Sequence, residues 1–132
     1  MVDMKLELVP IPVDDIDVTR AFYVERLGFA VDVDQEVAPG VHIVQVTPPG
    51  SACSIVFGTG LPVFTQAPPG SVHGLHLVVE DIQTARQDLI DRGVSVGTID
   101  DVGGGVKYAA ITDPSGNSLV LQEMAWRTGE AF

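Results

Sequence analysis

A chain of 132 residues that is 45% hydrophobic, with 14 Gly and 9 Pro, fits one compact domain of short elements and many turns, and its composition excludes a disordered chain. Eighteen acidic against seven basic residues give a formal charge of −11, which repels phosphate backbones and anionic lipid surfaces and argues against nucleic-acid or membrane partners. No apolar run reaches membrane-spanning length, and "MVDMKLELVP" lacks the regions of a secretory signal, so a cytoplasmic location is expected.

In chain order, the first helix signal is Asp15, a capping residue followed by Val18, Ala21 and Phe22 on one helical face, with Gly28 as the stop. Strands are expected from near Val31, at 41–47 and at 53–58; the lone Cys53 falls where a buried, inert thiol is expected. A Pro/Gly-rich stretch, 59–73, then reads as a linker between halves and a candidate flap over a pocket. "LHLVVED" is a short apolar strand, Asp81 a second cap, Ile82, Ala85 and Leu89 a second apolar face, and Gly93 a second stop. Strands follow from near Val96, at 107–112 and at 118–123. "DVGGGVKY" before them reads as a flexible hairpin, and "DPSGN" as a tight turn in which Pro114 presets one backbone angle and Gly116 accepts a positive φ.

The second series repeats the first. Sliding the chain by 65 to 66 residues aligns "VDDIDVTRAFYVERLGFAV" with "VEDIQTARQDLIDRGVSV", "VHIVQVT" with "KYAAIT", and "TPPGSACSIVFG" with "TDPSGNSLVLQE". The implied organisation is a single domain, 1–132, of two strand–helix–three-strand repeats, about 4–58 and 74–124. No "GxSxG" elbow or phosphate-binding loop is present.

In these residues, and above all in "FY…LGF" together with "DPSGN", the chain resembles the vicinal oxygen chelate superfamily, which holds glyoxalase I, bleomycin-resistance proteins, extradiol dioxygenases and methylmalonyl-CoA epimerase. The resemblance covers essentially the whole chain. It implies an α+β fold in which two βαβββ modules form a curled mixed sheet around a cleft, commonly completed by a homodimer. In metal-dependent members the cleft holds a divalent ion on side chains from the first and last strand of each module. Carried over residue by residue, those positions are Leu8, Ile55, Gly74 and Val120, and none of them can bind a metal. The expectation is therefore no metal site and no cofactor.

Two residues along each strand, the same face carries Pro10, Phe57, His76 and Gln122. His76 becomes a candidate ligand contact or acid/base, as imidazole side chains often serve, and Gln122 a candidate orienting group. Phe57 and Trp126 are candidates to stack on a planar ligand. His42 and Tyr108 are assigned equivalent places in the two copies, facing either in or out. His73 is expected at the surface, and Glu123 on the face opposite Val120, either structural or at the surface.

Two main classes of function follow, beside a third, a regulatory or interaction domain whose dimer face matters more than its cleft, which no sequence feature favours. The first is a metal-free binder that takes up a small organic molecule in a cleft lined by Leu8, Ile55, Phe57, Gly74, His76, Tyr108, Val120 and Gln122. The second is an enzyme, a glyoxalase-like lyase or isomerase, or an epimerase or dioxygenase, with His76 as acid/base.

Overall fold

The computed structural model describes all 132 residues. Two four-stranded mixed sheets, each with its own helix, repeat one order. The first sheet runs β1 (Leu8–Pro10), β4 (Ser54–Gly58), β3 (Val41–Thr47) and β2 (Ala30–Ala38) from edge to edge. The second runs β5 (Leu75–Val78), β8 (Ser118–Met124), β7 (Val106–Thr112) and β6 (Asp100–Gly103). In each, the first strand is parallel to the fourth and the other pairs are antiparallel. The sheets do not close on each other, so the fold is the expected α+β pair of βαβββ modules.

Both helices start where the sequence places them. Asp15 Oδ1 accepts from the backbone N–H of Asp17 (2.9 Å) and Val18 (3.1 Å), opening α1 (Ile16–Arg20), and Asp81 Oδ1 accepts from Thr84 N–H (3.1 Å), opening α3 (Ile82–Asp91). Gly28 and Gly93 end them at φ of +78° and +86°, a conformation that costs other residues.

The first helix differs from expectation in its buried face. After Arg20 it widens into a π-helical turn, Ala21–Arg26, and the buried residues are Thr19, Phe22 and Tyr23, while Val18 is 51% exposed. The widened turn rotates the apolar stripe and seats Tyr23 against Phe22, Phe29 and Phe57. The buried Thr19 hydroxyl donates to Asp15 O (2.7 Å), which satisfies it inside the helix.

In the second module, Val96 makes only an isolated bridge to Ile111, and the ladder proper begins at Asp100. Arg86 explains the delay: its guanidinium donates to Gly97 O (2.7 Å) and Val96 O (3.3 Å), drawing both carbonyls toward α3. Segment 59–73 is also more than a linker. It contains a short helix, α2 (Pro62–Thr65), whose Phe64 is buried, and its end is bound to the second module through Asn117 Oδ1, which accepts from Val72 N–H, and Val72 O, which accepts from Ser118 N–H.

One core serves both modules. Val44, Val46, Ile55 and Phe57 of the first sheet, and Ala109, Ile111, Leu119 and Leu121 of the second, join Ile11, Tyr23, Phe29, Ile82 and Leu89 in a single cluster. Each sheet therefore presents one face to the helices and core and leaves the other free of helices.

A buried polar tie joins the halves. Asp113, 4% exposed, accepts through Oδ1 from the N–H of Ser115 and Asn117. Through Oδ2 it accepts from Tyr23 OH (2.8 Å) and Asn117 Nδ2 (3.0 Å), and Nδ2 also donates to Pro12 O (2.8 Å). The "DPSGN" turn thus shapes the hairpin and also plugs into the first module. Burial and the neighbouring carboxylate hold the Tyr23 phenol far above its ordinary pKa, so it remains a donor.

Candidate functional site

Strand alternation sorts the expected residues by face. In the second sheet, Leu119 and Leu121 enter the core, so Ser118, Val120 and Gln122 lie on the helix-free face. His76 pairs with Val120 and Tyr108 with Gln122, which brings His76, Tyr108, Val120 and Gln122 together there. The His76 and Tyr108 rings meet edge to face with centroids 5.7 Å apart. Gly74 stands at the entry to β5 with φ of +80°, and a Cβ built on it would point at His76 Cε1, 3.9 Å away.

The His76 ring is oriented by its own strand. Nδ1 lies 2.6 Å from Gly74 O, and because a carbonyl only accepts, Nδ1 is the donor and Nε2 has no partner within the chain. His76 itself is exposed. The Gln122 amide has no partner within the chain and retains donor and acceptor capacity for something outside it.

The first sheet is arranged differently from the sequence expectation. Val46 pairs with Ile55 and Val44 with Phe57, and all four are in the core. Ile55 and Phe57 thus face the helices, and Phe57 packs beside Tyr23 with ring centroids 6.1 Å apart. The residues level with them on the helix-free face are Ser54 and Val56, which pair with Leu8 and Pro10. Alignment at constant offset fails because "TPPGSAC" spends one residue more than "TDPSGN" before its strand begins, and a shift of one residue reverses every side chain.

His42 and Tyr108 are likewise not counterparts. His42 pairs with Glu36 on the helix side, where its Nε2 sits 2.6 Å from Asp34 Oδ1, while Arg20 Nε donates to Asp34 Oδ2 (2.6 Å). The His42 hydrogen bond, and then Arg20, hold the Asp34 carboxyl below its usual range. This is a structural cluster joining α1 to the sheet.

The remaining candidates fall outside the face. His73 is exposed, and Trp126, 62% exposed, lies beyond β8. Cys53 is half-buried, with Sγ directed at Ser54 O (3.6 Å). Glu123 lies on the helix side, where Oε1 accepts Ile82 N–H (2.9 Å) at the start of α3.

Sequence reasoning missed one polar group on the helix-free face of the first sheet. Thr47 donates its hydroxyl to Asp32, and Ser54 Oγ, on a residue 4% exposed, sits 2.6 Å from Thr47 Oγ1. Only the register of β4 places Ser54 there.

No three His, Cys, Asp or Glu side chains converge in an arrangement suited to a metal ion. At the positions where the fold family holds its ion, Leu8, Val56, Gly74 and Val120 offer aliphatic groups and a bare backbone, so the residues do not fit a divalent cation. No helix is long and apolar enough to cross a membrane.

A family model described as Glyoxalase/Bleomycin resistance protein/Dioxygenase superfamily matches residues 5–121. Among solved structures, the chain is similar to TnmS3, an antibiotic binding protein from Streptomyces sp. CB03234, at 31% identity and a TM-score of 0.81, with 95% of this chain and 99% of that one covered. It is similar to a glyoxalase/bleomycin resistance protein from the same Streptomyces at 32% identity and a TM-score of 0.75, covering 89% and 98%. A superfamily member from Sphaerobacter thermophilus DSM 20745 aligns at 30% identity and a TM-score of 0.76, covering 92% and 98%. Among curated proteins, none matches the chain in sequence.

Proposed function

The chain belongs to the Glyoxalase/Bleomycin resistance protein/Dioxygenase superfamily, and we propose that within it this protein binds and sequesters a small organic molecule against the helix-free sheet faces, acting as a homodimer in the cytoplasm. The observation that carries this reading is the composition of the two helix-free faces: apolar Leu8 and Val56 on the first sheet, and apolar Gly74 and Val120 beside the polar group His76–Tyr108–Gln122 on the second, with no metal donor at any of the four positions. An apolar surface with a few fixed polar atoms is what a binding site for an organic ligand requires. The similarity to an antibiotic binding protein supports the same class of ligand. A homodimer is supported by the exposure of His76 and Ala110 on a face that a single chain leaves uncovered.

The test is calorimetric titration and thermal shift with a panel of aromatic polyketide and glycopeptide antibiotics. Saturable binding is expected, weakened at least tenfold in Val120→Trp, whose indole would occupy the face. A panel without binders, or a Val120→Trp variant that binds as well as wild type, would overturn the reading.

A second reading has its own observation. With Nδ1 held by Gly74 O, His76 presents Nε2 as a proton acceptor in the open site, as a general base requires. It predicts chelator-resistant turnover of hemithioacetals or acyl-CoA esters that disappears in His76→Ala. Equal rates in that variant would remove His76 from the chemistry.

A further inference from the structure

We propose that the hollow along the free edge of β5 is a second binding compartment, which meets the helix-free face at His76 and takes an apolar molecule carrying a cationic group. The two halves of the repeat differ where the hairpin turns meet the helices. In the first half, Tyr23 donates to Asp113, Asn117 to Pro12 O, and Asp14 N–H to Ser115 Oγ (2.9 Å), which draws the β7–β8 turn against α1. The depression left there measures about 420 Å³.

The repeat places Leu89 opposite Tyr23, Asp88 opposite Phe22 and Pro48 opposite Asp113. Leu89 has no hydroxyl to donate and Pro48 no carboxylate to receive it, so nothing draws the β3–β4 turn inward. The counterpart space is about 880 Å³, roughly twice as large, and within the range of small-molecule sites.

Its shape and lining define the ligand. Six consecutive residues, His76 to Asp81, line the hollow; because successive side chains of a strand point to opposite faces, a space that meets all of them must follow the edge of β5. Phe29, Leu89 and Leu121 form an apolar floor, and Pro48 and Pro49 a stiff wall. At the rim stand the carboxylates of Glu80, Asp81 and Asp88, opposed by Arg127.

Each carboxylate is engaged through one oxygen only. Glu80 Oε1 accepts Gly129 N–H, Asp81 Oδ1 accepts Thr84 N–H, and Asp88 Oδ2 faces Arg92 Nε at 3.3 Å. The second oxygen of each is free to receive an ammonium or iminium donor. The −11 charge of the whole chain adds long-range attraction for a cation and repulsion for an anion.

The probe is berberine, a planar cation whose fluorescence rises on leaving water, compared with the anionic dye 1-anilinonaphthalene-8-sulfonate. Wild type should bind berberine saturably and the anionic dye at least tenfold more weakly. Thr84→Trp should weaken berberine at least tenfold; Thr84 is exposed and caps through its backbone, so the helix start survives. The double variant Glu80→Gln/Asp88→Asn should weaken it severalfold and flatten its salt dependence, while Val120→Trp should leave it within twofold. Circular dichroism checks that each variant is folded.

No saturable berberine binding, or equal affinity for the two dyes, would overturn the proposal. So would loss of the dye in Val120→Trp with retention in Thr84→Trp, which assigns it to the helix-free face. Sedimentation velocity supplies the last arm: a Thr84→Trp variant that splits a dimer gives the hollow to a second copy of the chain. Failure here leaves the proposed function standing, since that is read with the antibiotic panel in Val120→Trp.

Discussion

Replacing Tyr23 by Phe removes one oxygen from a side chain with no exposed surface and leaves its packing on Phe22, Phe29 and Phe57 intact. The loss is the 2.8 Å hydrogen bond to the buried Asp113 carboxylate, and a bond to a charged group contributes about 1.5–3 kcal/mol. With an unfolding entropy of about 2.1 cal/mol/K per residue, the variant should melt about 5–11 °C below wild type at pH 7 by differential scanning calorimetry. The pH dependence has a definite sign. The folded phenol titrates above its unfolded value near 10, so its stabilisation is complete below pH 10 and is lost as pH rises beyond it. The gap between wild type and Tyr23→Phe should therefore close by about 1.4 kcal/mol per pH unit above 10. A shift below about 1 °C at pH 7, or a gap that stays constant to pH 11.5, would refute the assignment of this tie as a structural bolt between the modules.

Three further outcomes are expected. Gly58→Ala places a Cβ 2.1 Å from His42 O and 2.7 Å from Phe64 Cε2 and should cost about 1–3 kcal/mol by urea denaturation, whereas Gly104→Ala meets nothing within 4 Å and pays only the left-handed backbone cost, about 1–2 kcal/mol. Asp34→Asn should change stability by less than about 1 kcal/mol because its partners are solvent-screened; carboxyl NMR titration should show the Asp34 pKa rising in both His42→Ala and Arg20→Ala. Titration with nickel, zinc, manganese and iron(II) should show no stoichiometric site; tight binding abolished in His76→Ala would contradict the donor argument.

The two caps, the two glycine stops and most of the strands follow from local chemistry, because capping carboxylates, positive-φ glycines and apolar alternation act over a few residues; β6, which starts at Asp100 rather than near Val96, does not. The places of Leu8, Gly74, His76, Val120 and Gln122 were implied by the family resemblance rather than by local chemistry, and the pairing of β1, β5 and β8 puts them on the helix-free faces. Ile55 and Phe57 were not: one extra residue in a turn reverses a strand, and only pairing with Val44 and Val46 fixes which side is inward. The same is true of His42, sent to the helix side by its neighbour Asp34. The Tyr23–Asp113–Asn117 tie joins residues 90 positions apart, so no local pattern announces it; "DPSGN" reads as a turn whether or not its carboxylate finds a phenol. Local chemistry thus determined the elements and their repeat, and tertiary packing decided which faces meet, which half is bolted shut and which is left open.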